Sequence, residues 1–251
     1  MLILLPPSET KVSGGEEGSS LDLGALSFPV QRAIRERLLE ALVVLSSDSA
    51  ASLKALKLGP KGLGEVERNR ELRSAPVMPA LSRYTGVLYD AVGFATLDGA
   101  AQKRALSNVA IFSALFGIIR AGDKIPAYRL SYDSHLPGGK PSTLWGTLGP
   151  DLWASVDDFI VDLRSEGYRS LSPLPETAGV FVSLVKPGPA GARGAIGHHN
   201  KGTKGRLVRD LIQSGANISS VQELCEWGKT HGHTFDEASA DAGSLELVVA
   251  L

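Results

Sequence analysis

Six cationic side chains lie in one late stretch of the chain, between positions 186 and 209, with no Asp or Glu among them. They are Lys186, Arg193, Lys201, Lys204, Arg206 and Arg209. The intervening glycines let a ligand approach the backbone, Asn200 and Thr203 can form hydrogen bonds, and the pattern predicts a helix that begins near Thr203. Free N–H groups at a helix start, together with Lys and Arg, suit a phosphate group. The spacing is not that of a Walker phosphate loop. The alternative is a solvated basic loop paired with the acidic C-terminal segment.

A second cluster brings charged and aromatic side chains into ten consecutive positions. Its members are Arg120, Asp123, Lys124, Tyr128 and Arg129. The two arginines can hold phosphates or a carboxylate bidentately, and Tyr128 offers a stacking ring or a hydroxyl group. The alternative is a structural ion pair between Arg120 and Asp123.

Two shorter motifs also carry polar chemistry. In RYTGVLYD, Arg83 to Asp90, Tyr84 beside a cation can stack on a base, although such tyrosines also serve as packing residues. SETK, Ser8 to Lys11, follows an apolar strand and two prolines, and open α/β sheets keep functional loops at strand ends. It lacks the G-x-S-x-G elbow of a hydrolase. If the protein is an enzyme, the candidate general acids or bases are Glu9, Asp90 and Asp123.

The histidine and cysteine patterns predict neither a metal nor a cofactor. His231 and His233 do not have an established zinc-ligand spacing, and the adjacent His198 and His199 would point apart on a strand. Cys225 is the single cysteine of the chain. It excludes an intramolecular disulfide and a cysteine cage within one chain.

The composition is that of a globular protein with no overall attraction to polyanions. Its 251 residues are 43% hydrophobic and 21% charged, and 26 basic against 27 acidic side chains give a net charge of -1. Any polyanion site must therefore be local. The first apolar run, MLILL, is too short for a signal peptide, and no apolar span of about 20 residues occurs. We expect a cytoplasmic protein without membrane contact.

Apolar periodicity predicts the elements that position these residues. Strands are expected at 1–5, 128–132, 180–185 and 245–251, helices at 28–45, 50–58, 100–106, 203–214 and 220–227, a helix passing into a strand over 149–161, and either type at 109–116. On the first of these helices, Arg32, Arg35 and Glu36 are expected outside. Mixed elements without strict βα alternation predict an α+β or mixed α/β fold, with helices around a mixed sheet in a single compact domain over residues 1–251.

Four segments in order along the chain resemble the YaaA family of bacterial peroxide-stress proteins. They are MLILLPPSETK, YTGVLYDA, FSALFGIIRAGDKIPAYRLS and HHNKGTKGRLVR, between Met1 and Arg209. The resemblance implies a cytoplasmic protein that limits damage from unincorporated iron under hydrogen peroxide. It also implies a positively charged cleft, DNA-binding capacity and a helix-hairpin-helix-like element, which by position falls within Asp98–Asp123.

These observations favour a DNA-binding stress protein whose contacts are mainly to phosphates, with little sequence preference. Its candidate nucleic-acid or phosphate ligands are Lys11, Arg83, Tyr84, Arg120, Lys124, Tyr128, Arg129, Asn200, Lys201, Thr203, Lys204, Arg206 and Arg209. This hypothesis requires the late basic segment to face Arg120, Lys124 and Arg129 across one cleft. The alternatives are an enzyme acting on a phosphorylated or nucleotide-like small molecule, and a module that docks an acidic partner.

Overall fold

The chain begins with the predicted strand, Leu2–Leu5, whose four apolar side chains are completely buried. Pro6 and Pro7 end it, because proline cannot donate to a central ladder. The computed structural model describes residues 1–187, 193–195, 199–241 and 243–249. Within these residues the strands are β1 (Leu2–Leu5), β2 (Met78–Pro79), β3 (Val109–Ser113), β4 (Gly117–Arg120), β5 (Lys124–Ile125), β6 (Ile160–Asp162), β7 (Gly179–Pro187), β8 (Arg193–Ala195), β9 (Thr234–Asp241) and β10 (Ser244–Val248).

Helices surround these strands. The α-helices are α1 (Arg32–Ser46), α2 (Ser49–Ala55), α3 (Leu63–Arg70), α4 (Ala80–Arg83), α5 (Val87–Val92), α6 (Gly99–Asn108), α7 (Pro141–Gly146), α8 (Gly149–Ala154), α9 (Glu166–Arg169), α10 (His199–Ser214) and α11 (Val221–Thr230). Short 3-10 turns lie at Pro29–Gln31, Pro60–Gly62, Phe94–Thr96 and Glu176–Ala178. In the part of the chain that the structure describes, no helix is long and apolar enough to cross a membrane.

Eight of the described strands form one mixed sheet in the order β4-β3-β1-β6-β7-β10-β9, with β8 paired to β7. The neighbours β3, β1, β6, β7 and β10 run parallel, whereas β4, β8 and β9 pair antiparallel. Strands β2 and β5 form a separate small pair. The central strands are buried along their whole length, and one hydrophobic core joins them to the helices. This single compact domain with a mixed sheet confirms the predicted fold class.

Most predicted elements are present, with shifted ends. The ambiguous run at 109–116 contains β3, and 149–161 passes from α8 towards β6 as expected. The late basic helix begins at His199 rather than near Thr203, so Thr203 and Lys204 lie inside α10. Asp98–Asp123, all of it described, contains α6 followed by β3 and β4. The hairpin element expected there is therefore not confirmed.

Two predictions about local structure are wrong. Residues 128–132 form no strand, because the Asn69 side chain takes the place of a ladder partner: its amide donates to the Arg129 carbonyl at 2.9 Å and accepts from the Arg129 N–H at 2.8 Å. Arg35 is fully buried rather than outside. Its guanidinium donates to carbonyl oxygens of Phe116, Ile118 and Ser27, and so fixes α1 against β4.

Candidate functional site

The parallel strands β1, β3 and β6 have their carboxyl ends at the same edge of the sheet, and the chain leaves the sheet there after each of them. The order puts β3 on one side of β1 and β6 on the other, which makes β1/β6 the point where the topology switches direction. Ligands of open α/β sheets bind outside the carboxyl ends of strands at such a point. We call the group formed here by Ser8, Glu9, Thr10, Lys11, Tyr84, Thr85, Ser113, Tyr128 and Arg129 the carboxyl-edge site.

Lys11 is the buried cation of this site. The chain at Lys11 bridges to Tyr84, and the Val12 N–H donates to the Arg83 carbonyl. The residue is 8% exposed, and its ammonium donates to the carbonyl oxygens of Ser8 at 3.0 Å and Glu9 at 3.3 Å. Burial, together with the neighbouring Arg129, lowers the pKa of Lys11 to about 7. Near neutral pH a large part of this lysine is therefore an uncharged amine.

Two tyrosine hydroxyls and a serine hydroxyl form a buried chain beside Lys11. The Tyr128 hydroxyl lies 2.8 Å from that of Tyr84 and 2.6 Å from Ser113 Oγ. The Lys11 ammonium lies 4.1 Å from the centre of the Tyr128 ring, a cation–π distance. Burial raises the pKa of both tyrosines well above the usual value, so the hydroxyls stay protonated. They can donate hydrogen bonds but do not supply negative charge to Lys11.

Arg129 is the second cation of the carboxyl-edge site. Its side chain is 16% exposed, and it donates to the Glu9 carboxylate at 2.6 Å, while the Glu9 side chain is 61% exposed. Its Nε is buried without a hydrogen-bond partner among the described residues. The paired Asn69 holds the Arg129 backbone in place. Arg129 is thus rigidly placed and incompletely satisfied.

Three hydroxyl groups cover the outer side of the site. Thr10 Oγ1 lies 3.2 Å from Ser8 Oγ and accepts from Thr85 Oγ1 at 3.0 Å. Gly86, with φ of 104°, turns the chain into α5, and a Cβ there would lie 3.4 Å from Ser8 Oγ. A side chain at this φ is strained. The glycine therefore lets α5 begin next to the Ser8–Lys11 loop.

Helix α10 lies directly on α5. A Cβ at Gly205 would come within 2.3 Å of the Leu88 carbonyl oxygen, so the backbones approach more closely than any other residue allows. Lys204, one residue earlier, is buried and donates to the carbonyl oxygens of Leu163 at 2.9 Å and Arg164 at 3.1 Å. Burial lowers its pKa to about 8. Lys204 therefore fastens α10 to the carboxyl end of β6.

A buried ion pair that the sequence analysis did not predict supports the carboxyl end of β6. Asp162 and Arg164 are both fully buried and lie 2.8 Å apart. Arg164 also donates to the carbonyl oxygens of Tyr168 and Ser172. The only signal was an Asp-x-Arg spacing at the end of an apolar strand.

The structure brings only part of the predicted set to the carboxyl edge. Glu9, Lys11, Tyr84, Tyr128 and Arg129 meet there, with α10 alongside. Arg120 lies at the opposite edge, where it donates to the Ser107 carbonyl and lies 3.9 Å from Asp158, the partner of the Met1 amino group.

Other predicted residues near Arg120 are also held by their own partners. Asp123 accepts from the Ser27 N–H and hydroxyl and from the Arg120 backbone N–H. The predicted ion pair between Arg120 and Asp123 is therefore a backbone contact. Lys124 pairs with Glu16 at 2.5 Å.

Two arginines of the predicted set donate hydrogen bonds to backbone carbonyl oxygens. Arg83 is buried and donates to three carbonyl oxygens, those of Val12, Pro76 and Ile125. Arg209 donates to the carbonyl oxygens of Val92 and Gly93 at the end of α5. Both stabilise the fold around the site in this conformation.

The first turns of α10 carry polar side chains that reach solvent. Lys201 and Arg206 are exposed, and Asn200 is half-buried. Arg206 also donates to Thr203 Oγ1 at 3.0 Å. Asp90 is exposed on the adjoining α5.

Arg193 of the late basic segment is paired with the acidic C-terminal segment, as the alternative interpretation predicts. Arg193 pairs with Asp236 and lies 3.5 Å from Glu246, both in the acidic C-terminal strands. His233 bonds to Asp210 at 2.9 Å and, like His231, stacks on Trp227. His198 and the side chain of His199 lie outside the described residues. Cys225 is buried as a free thiol.

Comparison with known proteins places the chain in a family. The family model described as "Peroxide stress protein YaaA" matches residues 1–239. The chain belongs to this family. It is 44% identical to a UPF0246 protein of Corynebacterium efficiens, over 99% of this chain and 100% of that protein. It is 38% identical to a UPF0246 protein of Streptomyces coelicolor, over 99% and 98% of the two chains.

The YaaA-family resemblance and the carboxyl-edge site rest on the same segments. SETK supplies Glu9 and Lys11, YTG supplies Tyr84 and its neighbours, and the AYRL part of the third segment supplies Tyr128 and Arg129. The fourth segment is the start of α10. The structure brings parts of all four motifs together at the carboxyl edge of the sheet.

Proposed function

We propose that this YaaA-family protein acts in the cytoplasm during peroxide stress by binding DNA, and so protects the cell from iron-dependent oxidative damage. The supporting observation is that α10, which carries the exposed Lys201 and Arg206, packs on α5, the helix that directly follows the hydroxyl-bearing Thr85 loop of the carboxyl-edge site. Cations and hydroxyl groups together are the usual donors to DNA phosphates.

The packing of α10 on α5 supports this assignment. A Cβ at Gly202 would lie 3.5 Å from Val87 Cγ1 and 3.6 Å from the Arg206 guanidinium. Val87 is the first residue of α5, directly after Thr85 and Gly86, so Arg206 lies close to the loop that carries Thr85. The proposed interface combines two exposed cations with hydroxyl groups that hydrogen-bond to one another. We expect these groups to contact phosphates, and therefore little sequence preference.

A salt series with double-stranded DNA tests the proposal. We expect the logarithm of the affinity to fall linearly with the logarithm of the salt concentration. Each lost phosphate contact changes this slope by roughly 0.9, so Lys201→Ala plus Arg206→Ala is expected to flatten it by about two.

The matched control is Lys54→Ala plus Lys140→Ala, which removes the same charge from exposed positions on α2 and directly before α7. It is expected to leave the slope unchanged. Equal slopes for both double variants, or an affinity that does not depend on salt, would remove α10 from the interface. Survival of cells that carry the α10 variant under hydrogen peroxide then tests the protective role.

A second candidate function is supported by a different observation, the buried Lys11 beside exposed Glu9 at the switch point of the sheet. It is an enzyme that acts on a phosphorylated or nucleotide-like small molecule, with Glu9 as the general acid or base at this edge. Thermal-shift measurements with nucleotides and sugar phosphates separate the two candidates. Stabilisation by such a ligand without DNA affinity favours the enzyme, and DNA affinity without ligand stabilisation favours the first candidate.

A further inference from the structure

Lys11 and Arg129 form a pair of like charges with too little nearby negative charge. The groups whose charges act on Lys11 are Arg129 from the segment after β5, Glu9 from its own loop, and Glu65 and Arg68 from α3. Glu65 and Arg68 form an ion pair of 2.8 Å, and Glu65 raises the pKa of Lys11 more than Arg68 lowers it. The group therefore holds three cations, Lys11, Arg129 and Arg68, against two carboxylates, and one of these carboxylates, Glu9, is mostly solvent-exposed.

The hydrogen-bond inventory of these cations points the same way. An ammonium has three N–H donors, and Lys11 places two contacts on backbone carbonyl oxygens. Arg129 Nε is buried without a partner in the described part of the chain. A buried hydrogen-bond donor without an acceptor costs more free energy when it is charged than when it is neutral. An anion that contacts both side chains would satisfy these donors and balance the charge.

We propose that Lys11 and Arg129 form an anion subsite that takes the carboxylate or phosphate head group of a small metabolite, in competition with the Glu9 carboxylate. This inference rests on the second candidate function and names the part of the site that would hold the substrate. The Tyr84–Tyr128–Ser113 hydroxyl chain lies beside the subsite and keeps Tyr128 fixed against Lys11.

Binding at this subsite takes up a proton from the buffer. In the free protein the pKa of Lys11 is about 7, and a bound anion favours the ammonium form and raises that pKa. Below about pH 7 the lysine is already charged, so affinity is constant there. Above about pH 7 affinity falls by up to tenfold per pH unit, because each binding event must first protonate Lys11.

Isothermal titration calorimetry of the full chain with sulfate and with malonate tests this. Sulfate stands for a phosphate head group and malonate for a carboxylate, and neither changes its charge between about pH 7 and about pH 9. At about pH 8, titrations in two buffers of different ionisation enthalpy give the number of protons taken up. We expect nearly one proton per anion, and the better of the two anions identifies the head group.

Three variants complete the test. Lys11→Arg keeps the charge at all accessible pH values, so we expect binding to persist while proton uptake and pH dependence disappear. Glu9→Gln removes the competing carboxylate and is expected to raise affinity by roughly two- to fivefold, the size of an exposed ion pair. Its matched control is Glu16→Gln, which breaks the exposed ion pair to Lys124 and is expected to leave affinity unchanged.

Two outcomes overturn the subsite. One is the absence of heat with both anions up to about 10 mM, which corresponds to affinity weaker than roughly 3 kcal/mol. The other is binding without proton uptake, or with the same uptake in Lys11→Arg. Failure of the nucleotide screen has a separate meaning, since anion binding with proton uptake but no response to nucleotides retains the subsite and rejects only that substrate class.

Discussion

At the scale of single residues, formal charge is a poor guide to available charge in this protein. Lys11, Arg83 and Lys204 all belong to the predicted phosphate ligands, yet each is buried and donates to backbone carbonyl oxygens. Long side chains with several N–H donors can form hydrogen bonds with the unpaired carbonyl oxygens at the ends of strands and loops. A count of Lys and Arg residues does not show which of them are used in this way. The Asp162–Arg164 pair shows the converse, a completely buried pair of charges that hydropathy does not reveal.

Burial of Lys11 makes stability depend on pH. Its pKa is about 7 in the folded protein and 10.5 without burial, so the unfolded chain binds more protons between these values. Stability due to this group therefore rises with pH over that window, by roughly 2 kcal/mol from about pH 7 to about pH 9. Urea unfolding in chloride buffers at the two pH values measures the rise.

Replacement of Lys11 shows how much of the rise in stability with pH comes from this side chain. In Lys11→Met the rise is expected to be smaller than in the wild type by about that amount, while buried Lys204, with a pKa of about 8, still contributes a part. Lys124→Met, at an exposed ion pair, serves as the control and should follow the wild-type profile. Parallel profiles for wild type and Lys11→Met would contradict the burial of a titrating amine at position 11.

At the scale of elements, α10 begins at His199, four residues before the helix start that the glycine-rich basic segment predicts. Gly202 and Gly205 are three positions apart, so they share one face of a helix. In isolation glycine disfavours a helix. Here the glycine face allows α10 to lie against α5, and tertiary packing outweighs the local preference.

This packing predicts opposite effects for two glycine substitutions in α10. In Gly205→Ala the added Cβ would lie 2.3 Å from the Leu88 carbonyl oxygen, so the helices must separate. We expect a loss of roughly 1 to 3 kcal/mol in the free energy of unfolding. Gly202→Ala meets only ordinary contacts of 3.5 Å or more. It should be neutral or gain up to about 1 kcal/mol from helix propensity.

Urea denaturation of the two variants measures both effects on the same helix. Because the chemical change is identical, a difference between them reports the contact with α5 and not the substitution itself. Similar stabilities for the two variants would mean that α10 does not approach α5 as closely as described.

At the scale of the whole molecule, strand order decides which motifs meet. Arg120 and Arg129 are nine positions apart, and the sequence treats them as one cluster. Strand β4 runs antiparallel to β3, so Arg120 returns to the amino end of the parallel strands, whereas the chain that follows carries Arg129 to their carboxyl end. Meanwhile Glu9 and Arg129, 120 positions apart, are in direct contact.

The sequence by itself determined the local features of this YaaA-family protein. Apolar runs ended by prolines or by turns predict β1 and β7, and Ser220 with Glu223 predicts the start of α11, because these signals depend on nearby residues only. The four motifs also identify the family without knowledge of where they lie in space.

Only the tertiary structure decided which side chains form a site. Whether a lysine is a charged surface group or a buried amine with a lowered pKa depends on desolvation and on charges supplied by residues far along the chain, as by Arg129 for Lys11. The edge of the sheet that a motif reaches depends on strand order and direction. Neither property is encoded in the spacing of residues within a motif, so both appear only when the sheet is assembled.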